Sequence, residues 1–148
     1  MKWILLLAFA SFHFVAPHWH TDLDTAKKEA RENSHLILLN FSGSDWCGPC
    51  IRLREEVFNS ETFLKLADSS LVLCNADFPR GKKNQLPAEQ QKKNESLAEQ
   101  YNPYGKFPYT VLLSADGKLL KGWEGYPQSN KQSFIDQIKA ACDANARQ

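Results

Sequence analysis

Apolar positions along this chain change period several times, and each period points to a different element. From Thr21 to Asn33 the sequence is polar except for Leu23, Ala26 and Ala30, which fall three and four apart. That spacing predicts an outer helix, with Thr21 or Asp22 available as its cap. HLILLNF, starting at His35, is a nearly unbroken apolar run of strand length, as expected for a strand covered on both faces. Beyond residue 46, Cys50, Leu53 and Val57 share one helical face, while Arg52, Glu55 and Glu56 point elsewhere. Ser60 reads as the cap of a second short helix, or of a continuation after a bend, carrying Phe63, Leu64 and Ala67. LVLCNAD (71–77) reads as another buried strand.

From Phe78 to Asn94 the chain turns polar, with Arg80, Lys82, Lys83, Lys92 and Lys93 interrupted by Pro79, Gly81 and Pro87. This predicts a surface loop entering a helix near Pro87 that ends around Tyr101. FPYTVLLSADGKLLKGW supplies two strands joined through Asp116-Gly117, a hairpin signal. Ser129 with Gln132 reads as a capping box for a closing helix whose stripe is Phe134, Ile135, Ile138, Ala141 and Cys142. The order of elements predicts an α/β layer structure with strands sandwiched between helices.

Composition narrows the function. A chain of 148 residues that is 43% hydrophobic suits one core. Lysine and arginine number 18 against 17 acidic residues, so no global field draws nucleic acid or an anionic membrane, and selectivity must be local. The apolar stretch WILLLAFASFHFVA after Met1-Lys2 resembles a secretory signal and falls short of the roughly 20 residues a spanning helix needs. The expected organisation is a signal over 1–16 and one domain over 17–148, without stable membrane insertion. A buried N-terminal strand or helix is the competing reading of that stretch.

The chemistry lies in DWCGPC. Thiolate, not thiol, attacks a disulfide, and the unpaired N–H groups at a helix N-terminus favour negative charge. Cys47 opens the predicted helix and should be the exposed, attacking sulfur. Cys50 lies one turn further in on the core side and should be the less accessible sulfur that resolves the mixed disulfide. Gly48 lets backbone approach a client, and Pro49 suits an early helical position. A structural bridge and half of a zinc site are the competing readings, although zinc asks for four ligands and no second closely spaced pair completes the set.

Cys74 and Cys142 read as small buried residues, with a bridge between them left open. His18-Trp19-His20 reads as a flexible start with Trp19 packing on the domain, against a metal-holding reading. His35 reads as an edge residue. The lysine-rich loop reads as solvated surface, against a docking face for an acidic partner. Trp123 and Tyr126 read as packing residues, against a client groove.

The succession strand, DWCGPC, helix resembles the active site of the thioredoxin superfamily over residues 35–142, including LVLCNAD, FPYT, and the ADGK turn before GWEGY. FSGSDWCGPC and DFPR are most similar to exported bacterial thioredoxin-like proteins. The resemblance implies a thioredoxin fold, a central mixed β-sheet flanked by helices on both faces. It also implies thiol-disulfide oxidoreductase activity in the periplasm, without metal or organic cofactor. Clients would be disulfide-containing proteins, with an unidentified redox partner protein, and a monomer is expected. Gly48-Pro49 favours a reducing direction by analogy.

Pro108 matches a proline that is typically cis beside the dithiol, so Phe107 would offer backbone groups to an extended client, and Trp46 would flank Cys47. The chain departs from the pattern at Asn40, where the superfamily usually has a buried aspartate. Asparagine cannot take a proton at ordinary pH, so water, Asp45 or Glu55 is expected to substitute. The competing class is a thioredoxin-like binding module for client chains or metal, without redox turnover.

Overall fold

The computed structural model describes residues 17–128 and 130–146; the signal-like segment 1–16 lies outside them. Strands β1 (Trp19–His20), β2 (Leu36–Ser42), β3 (Leu71–Asp77), β4 (Tyr109–Leu113) and β5 (Leu119–Glu124) form one sheet. Helices α1 (Leu23–Asn33), α2 (Gly48–Leu53), α3 (Glu61–Ser70), α4 (Ala88–Tyr101) and α5 (Lys131–Asn145) accompany it. The strand order is β1-β3-β2-β4-β5, parallel for β1/β3 and β3/β2 and antiparallel for β2/β4 and β4/β5. Among the described residues, no helix is long and apolar enough to cross a membrane.

The unbroken apolar run of β2 has the expected cause. Leu38 joins Leu73, Leu112 and Ile138 on the face covered by α3 and α5, whereas Ile37, Leu39 and Phe41 join Val72, Val111 and the small residues of α1 on the other. All four of these β2 side chains are fully buried. Covering both faces of a central strand demands apolar residues at consecutive positions. The five predicted stripe residues of α5 are likewise all buried.

Local signals fix the element ends. Asp22 accepts from the Thr25 N–H at 2.9 Å and opens α1; Ser60 accepts from the Phe63 N–H at 3.3 Å and opens α3. The hairpin closes through Gly117, whose φ of 88° suits a residue without Cβ. The closing helix starts from Asn130, not from the expected Ser129 capping box. The Asn130 carboxamide oxygen accepts from the Gln132 N–H at 2.8 Å, and Ser129 lies outside the described residues.

A further expectation needs correction. The segment expected to be a flexible start contains a strand: Trp19 and His20 pair with Leu73 and Cys74, and the Trp19 ring sits 5.2 Å from that of Phe58. The open edge of β3 supplies the hydrogen-bonding partners that two residues alone cannot. Cys74 and Cys142 are free thiols in clusters on opposite faces of the sheet, so no bridge joins them. Burial pushes the Cys74 thiol up to about 12 and Cys142 up to about 11.

Candidate active site

At the C-terminal end of β2 the chain turns through residues 43–46 and enters α2, which continues without interruption into a π-helical turn, Arg54–Phe58. The turn closes when the Cys47 N–H donates to the Gly43 carbonyl at 2.9 Å. Cys47 is the N-cap of α2: its backbone is extended, and its Sγ accepts from the Cys50 N–H at 3.3 Å. Pro49 occupies the first turn, where a missing N–H costs nothing. Cys47 and Cys50 are joined in a disulfide with Cα atoms 5.2 Å apart.

The expected difference in exposure is not observed. Cys47 and Cys50 are each only 4% exposed. As a cap, the Cys47 side chain folds back over the first turn toward Cys50, which withdraws its sulfur from solvent. Between the two cysteines, Gly48 and Pro49 are exposed.

An aromatic wall stands beside this turn. Trp46 donates from Nε1 to the Phe78 carbonyl at 2.7 Å, and its ring lies 5.5 Å from that of Phe107. The Arg80 guanidinium stacks 3.6 Å over the Trp46 ring. The Phe107-Pro108 peptide bond is cis, and the paired part of β4 begins at Tyr109, so the Phe107 peptide lies beyond the ladder.

The carboxylates expected to stand in for the missing aspartate face elsewhere. Asp45 accepts from the Arg80 N–H at 2.9 Å, the Gly81 N–H at 2.7 Å and Asn84 Nδ2 at 2.9 Å. The Asn84 amide and these two backbone donors hold its carboxyl below the usual value. Glu55 is exposed, 4.0 Å from Arg54.

Beneath Cys50 is a polar patch that single-residue reasoning overlooked. Asn40 donates to Asn75 Oδ1 at 3.0 Å and accepts from Thr110 Oγ1 at 3.1 Å. Ser42 Oγ lies 3.2 Å from Asp77 Oδ1, while Ser44 donates to the same carboxylate from N at 2.9 Å and Oγ at 2.5 Å. Cys50 and these residues line a cleft of about 270 Å³. A signal was present: Asn40 and Ser42, like Asn75 and Asp77, are polar positions two apart at the C-terminal ends of otherwise apolar strands, and the parallel register pairs them.

The remaining candidates fall outside this region. His20 Nε2 lies 2.7 Å from Glu29, and among the described residues no group of three or more His, Cys, Asp and Glu is placed to hold a metal. Trp123 and Tyr126 are buried, with Tyr126 donating to Glu56 at 2.6 Å. Lys82 and Lys83 are exposed.

A thioredoxin-like family model matches residues 18–115. The disulfide bond reductase DsbH of Chlamydia pneumoniae is 34% identical over 116 residues, covering 78% of this chain and 68% of the relative. The thioredoxin-related protein DsbJ of the same organism is 31% identical over 96 residues, covering 65% of this chain and 27% of its own length. A solved DsbH oxidoreductase superposes with a TM-score of 0.79 at 28% identity, over 96% of this chain and 95% of that one. A poplar thioredoxin h shares the fold, with a TM-score of 0.60 at 20% identity over 87% of this chain and 98% of that one.

Proposed function

The chain belongs to the thioredoxin-like family, and on that footing we propose that it is an exported thiol-disulfide oxidoreductase that reduces protein disulfides through Cys47 and Cys50. The observation that carries this reading is the position of Cys47: a helix cap whose sulfur receives the Cys50 N–H and is already joined to Cys50. In the reduced protein the same donor favours the Cys47 thiolate, aided by the positive end of the helix dipole.

The Cys47 thiolate attacks one sulfur of a client disulfide; the client S–S bond breaks, one client sulfur leaves as thiolate, and a mixed disulfide forms. Cys50 then attacks Cys47 Sγ, the mixed disulfide breaks, and the second client sulfur leaves. The client gains two electrons and the Cys47/Cys50 pair loses them, so a dithiol partner protein must return the pair to the reduced state. Trp46 and Phe107 form the apolar side of the client seat, Gly48-Pro49 lets the client chain approach, and the peptide ahead of cis-Pro108 lies where an extended client can pair with it. The named reductase among the relatives supports the reducing direction, and the signal-like 1–16 segment supports a mature domain beginning near residue 17 in the periplasm.

Insulin reduction under dithiothreitol tests the reading. Wild type should turn over, Cys47→Ser should not, and Cys50→Ser should accumulate client bound at Cys47. Turnover by Cys47→Ser refutes the assignment. Equilibration with glutathione measures direction: a tenfold shift in the oxidised-to-reduced ratio corresponds to about 30 mV, and a potential well above the glutathione couple would overturn the reductase reading.

A further inference from the structure

We propose that Asp77 is the proton acceptor for Cys50, acting through water in the cleft they share. This rests on the reading of Cys50 as the resolving cysteine. Cys50 is 4% exposed and core-facing, and burial disfavours the thiolate that must attack Cys47 Sγ. Its proton therefore needs an acceptor nearby.

Three candidates are eliminated on position or chemistry. Asp45 is bound to the loop at residues 80–84, Glu55 is on the outer surface, and Asn40 is an amide already engaged with Asn75 and Thr110. Asp77 is the carboxylate on the cleft lining that includes Cys50. The other charged group on that lining is Arg54, directed toward Glu55 at 4.0 Å. The neighbouring charges on α4 and β1 have partners of their own, Lys93 with Asp22 at 2.8 Å and His20 with Glu29 at 2.7 Å.

The Asp77 carboxylate is oriented before any reaction. Ser44 holds it from both N and Oγ, Ser42 Oγ adjoins it, and Asn94 Nδ2 donates to its backbone carbonyl at 2.8 Å. A cleft of about 270 Å³ has room for several waters at about 30 Å³ each, and its polar lining offers each of them partners. In the step, Cys50 Sγ–H gives its proton through water to Asp77. The resulting thiolate forms the bond to Cys47 Sγ, the mixed disulfide breaks, and the departing client thiolate takes up the proton. No other reactant is consumed.

Reduced protein mixed with 5,5′-dithiobis(2-nitrobenzoate) separates the two cysteines, because Cys47 attack releases the first thionitrobenzoate and Cys50 attack the second. In Asp77→Asn the first phase should stay within about twofold of wild type, while the second slows by about 10²-fold or more. Asp77→Glu should restore much of the second phase. Loss of a negative charge alone would ease Cys50 ionisation and accelerate that phase, and a merely structural defect would slow both, so the pattern is diagnostic.

In wild type the second phase should be flat with pH through neutrality, whereas in Asp77→Asn it should climb about tenfold per pH unit with the thiolate fraction. A second phase in Asp77→Asn as fast as wild type overturns the proposal. Should that variant fail to fold, a wild-type second phase already climbing tenfold per unit overturns it equally. Release of the second thionitrobenzoate by Cys50→Ser at the wild-type rate would instead remove the resolver reading itself.

Discussion

Replacing Gly43 with alanine should disturb the client-facing wall without touching a cysteine. A Cβ built there lies 2.2, 2.4 and 2.5 Å from Cε2, Nε1 and Cζ2 of Trp46. Ordinary carbon contacts need about 3.5 Å or more, so the indole must retreat by about 1 Å or the turn must open. Retreat is not free, because the ring is held by the 2.7 Å bond to Phe78, the Arg80 stack and the edge of Phe107. Overpacking of this kind costs about 1 to 3 kcal/mol, and loss of one hydrogen bond about 0.5 to 1.5 kcal/mol. Because the two share one movement, we expect about 2 kcal/mol in total. Urea unfolding of the oxidised protein should show this as a lower midpoint at unchanged slope. In a Trp46→Ala background the Gly43→Ala penalty should fall below about 0.5 kcal/mol, since the clashing ring is gone. An equal penalty in both backgrounds refutes the account of the clash.

Other outcomes follow from features already described. Asp22→Ala should cost about 1 kcal/mol at neutral pH through loss of the α1 cap. Lys93 and the Thr25 N–H hold the Asp22 carboxyl down to about 2, so its contribution is complete above its ordinary value of 3.8 and is lost as pH falls through 2; unfolding curves of the two proteins should converge over that interval. Cys74 and Cys142 should resist iodoacetamide in native oxidised protein at pH 8 and react only on unfolding, since a thiol at about 12 is about 10⁻⁴ ionised there and one at about 11 about 10⁻³. Mass spectrometry that finds either labelled in the folded state refutes their burial. Ile138→Ala should destabilise by about 2 to 5 kcal/mol, because its fully buried side chain packs on the β-sheet face bearing Leu38 and Leu73; a loss below 1 kcal/mol in urea unfolding would contradict that packing.

Much of this architecture was legible because periodicity survives wherever burial is regular. Leu38 and Leu39 face opposite clusters, so the apolar run of β2 could only be a doubly covered strand, and the stripe of α5 maps onto one buried face. Trp19–His20 was illegible as a strand because two residues carry no period and depend on a distant partner, β3. The π-helical turn at Arg54–Phe58 was equally hidden, since i+3 and i+7 spacing does not separate it from an α-turn. At the dithiol, the element and its residues were readable but the withdrawal of Cys47 was not, because it depends on the direction of one side chain. Asp77 lies 27 positions beyond Cys50 in sequence, and only the parallel register of β2 and β3 brings it under the helix.

The short β1 pairing also bears on where a leader could be removed. Trp19 and His20 cover the outer margin of β3 at Leu73 and Cys74, and without them this apolar stretch would present bare amides and carbonyls. Such a margin is a template for another molecule's backbone. Cleavage after residue 16 keeps this seal, whereas trimming only four residues further would convert a monomer-compatible border into a seed for aggregation.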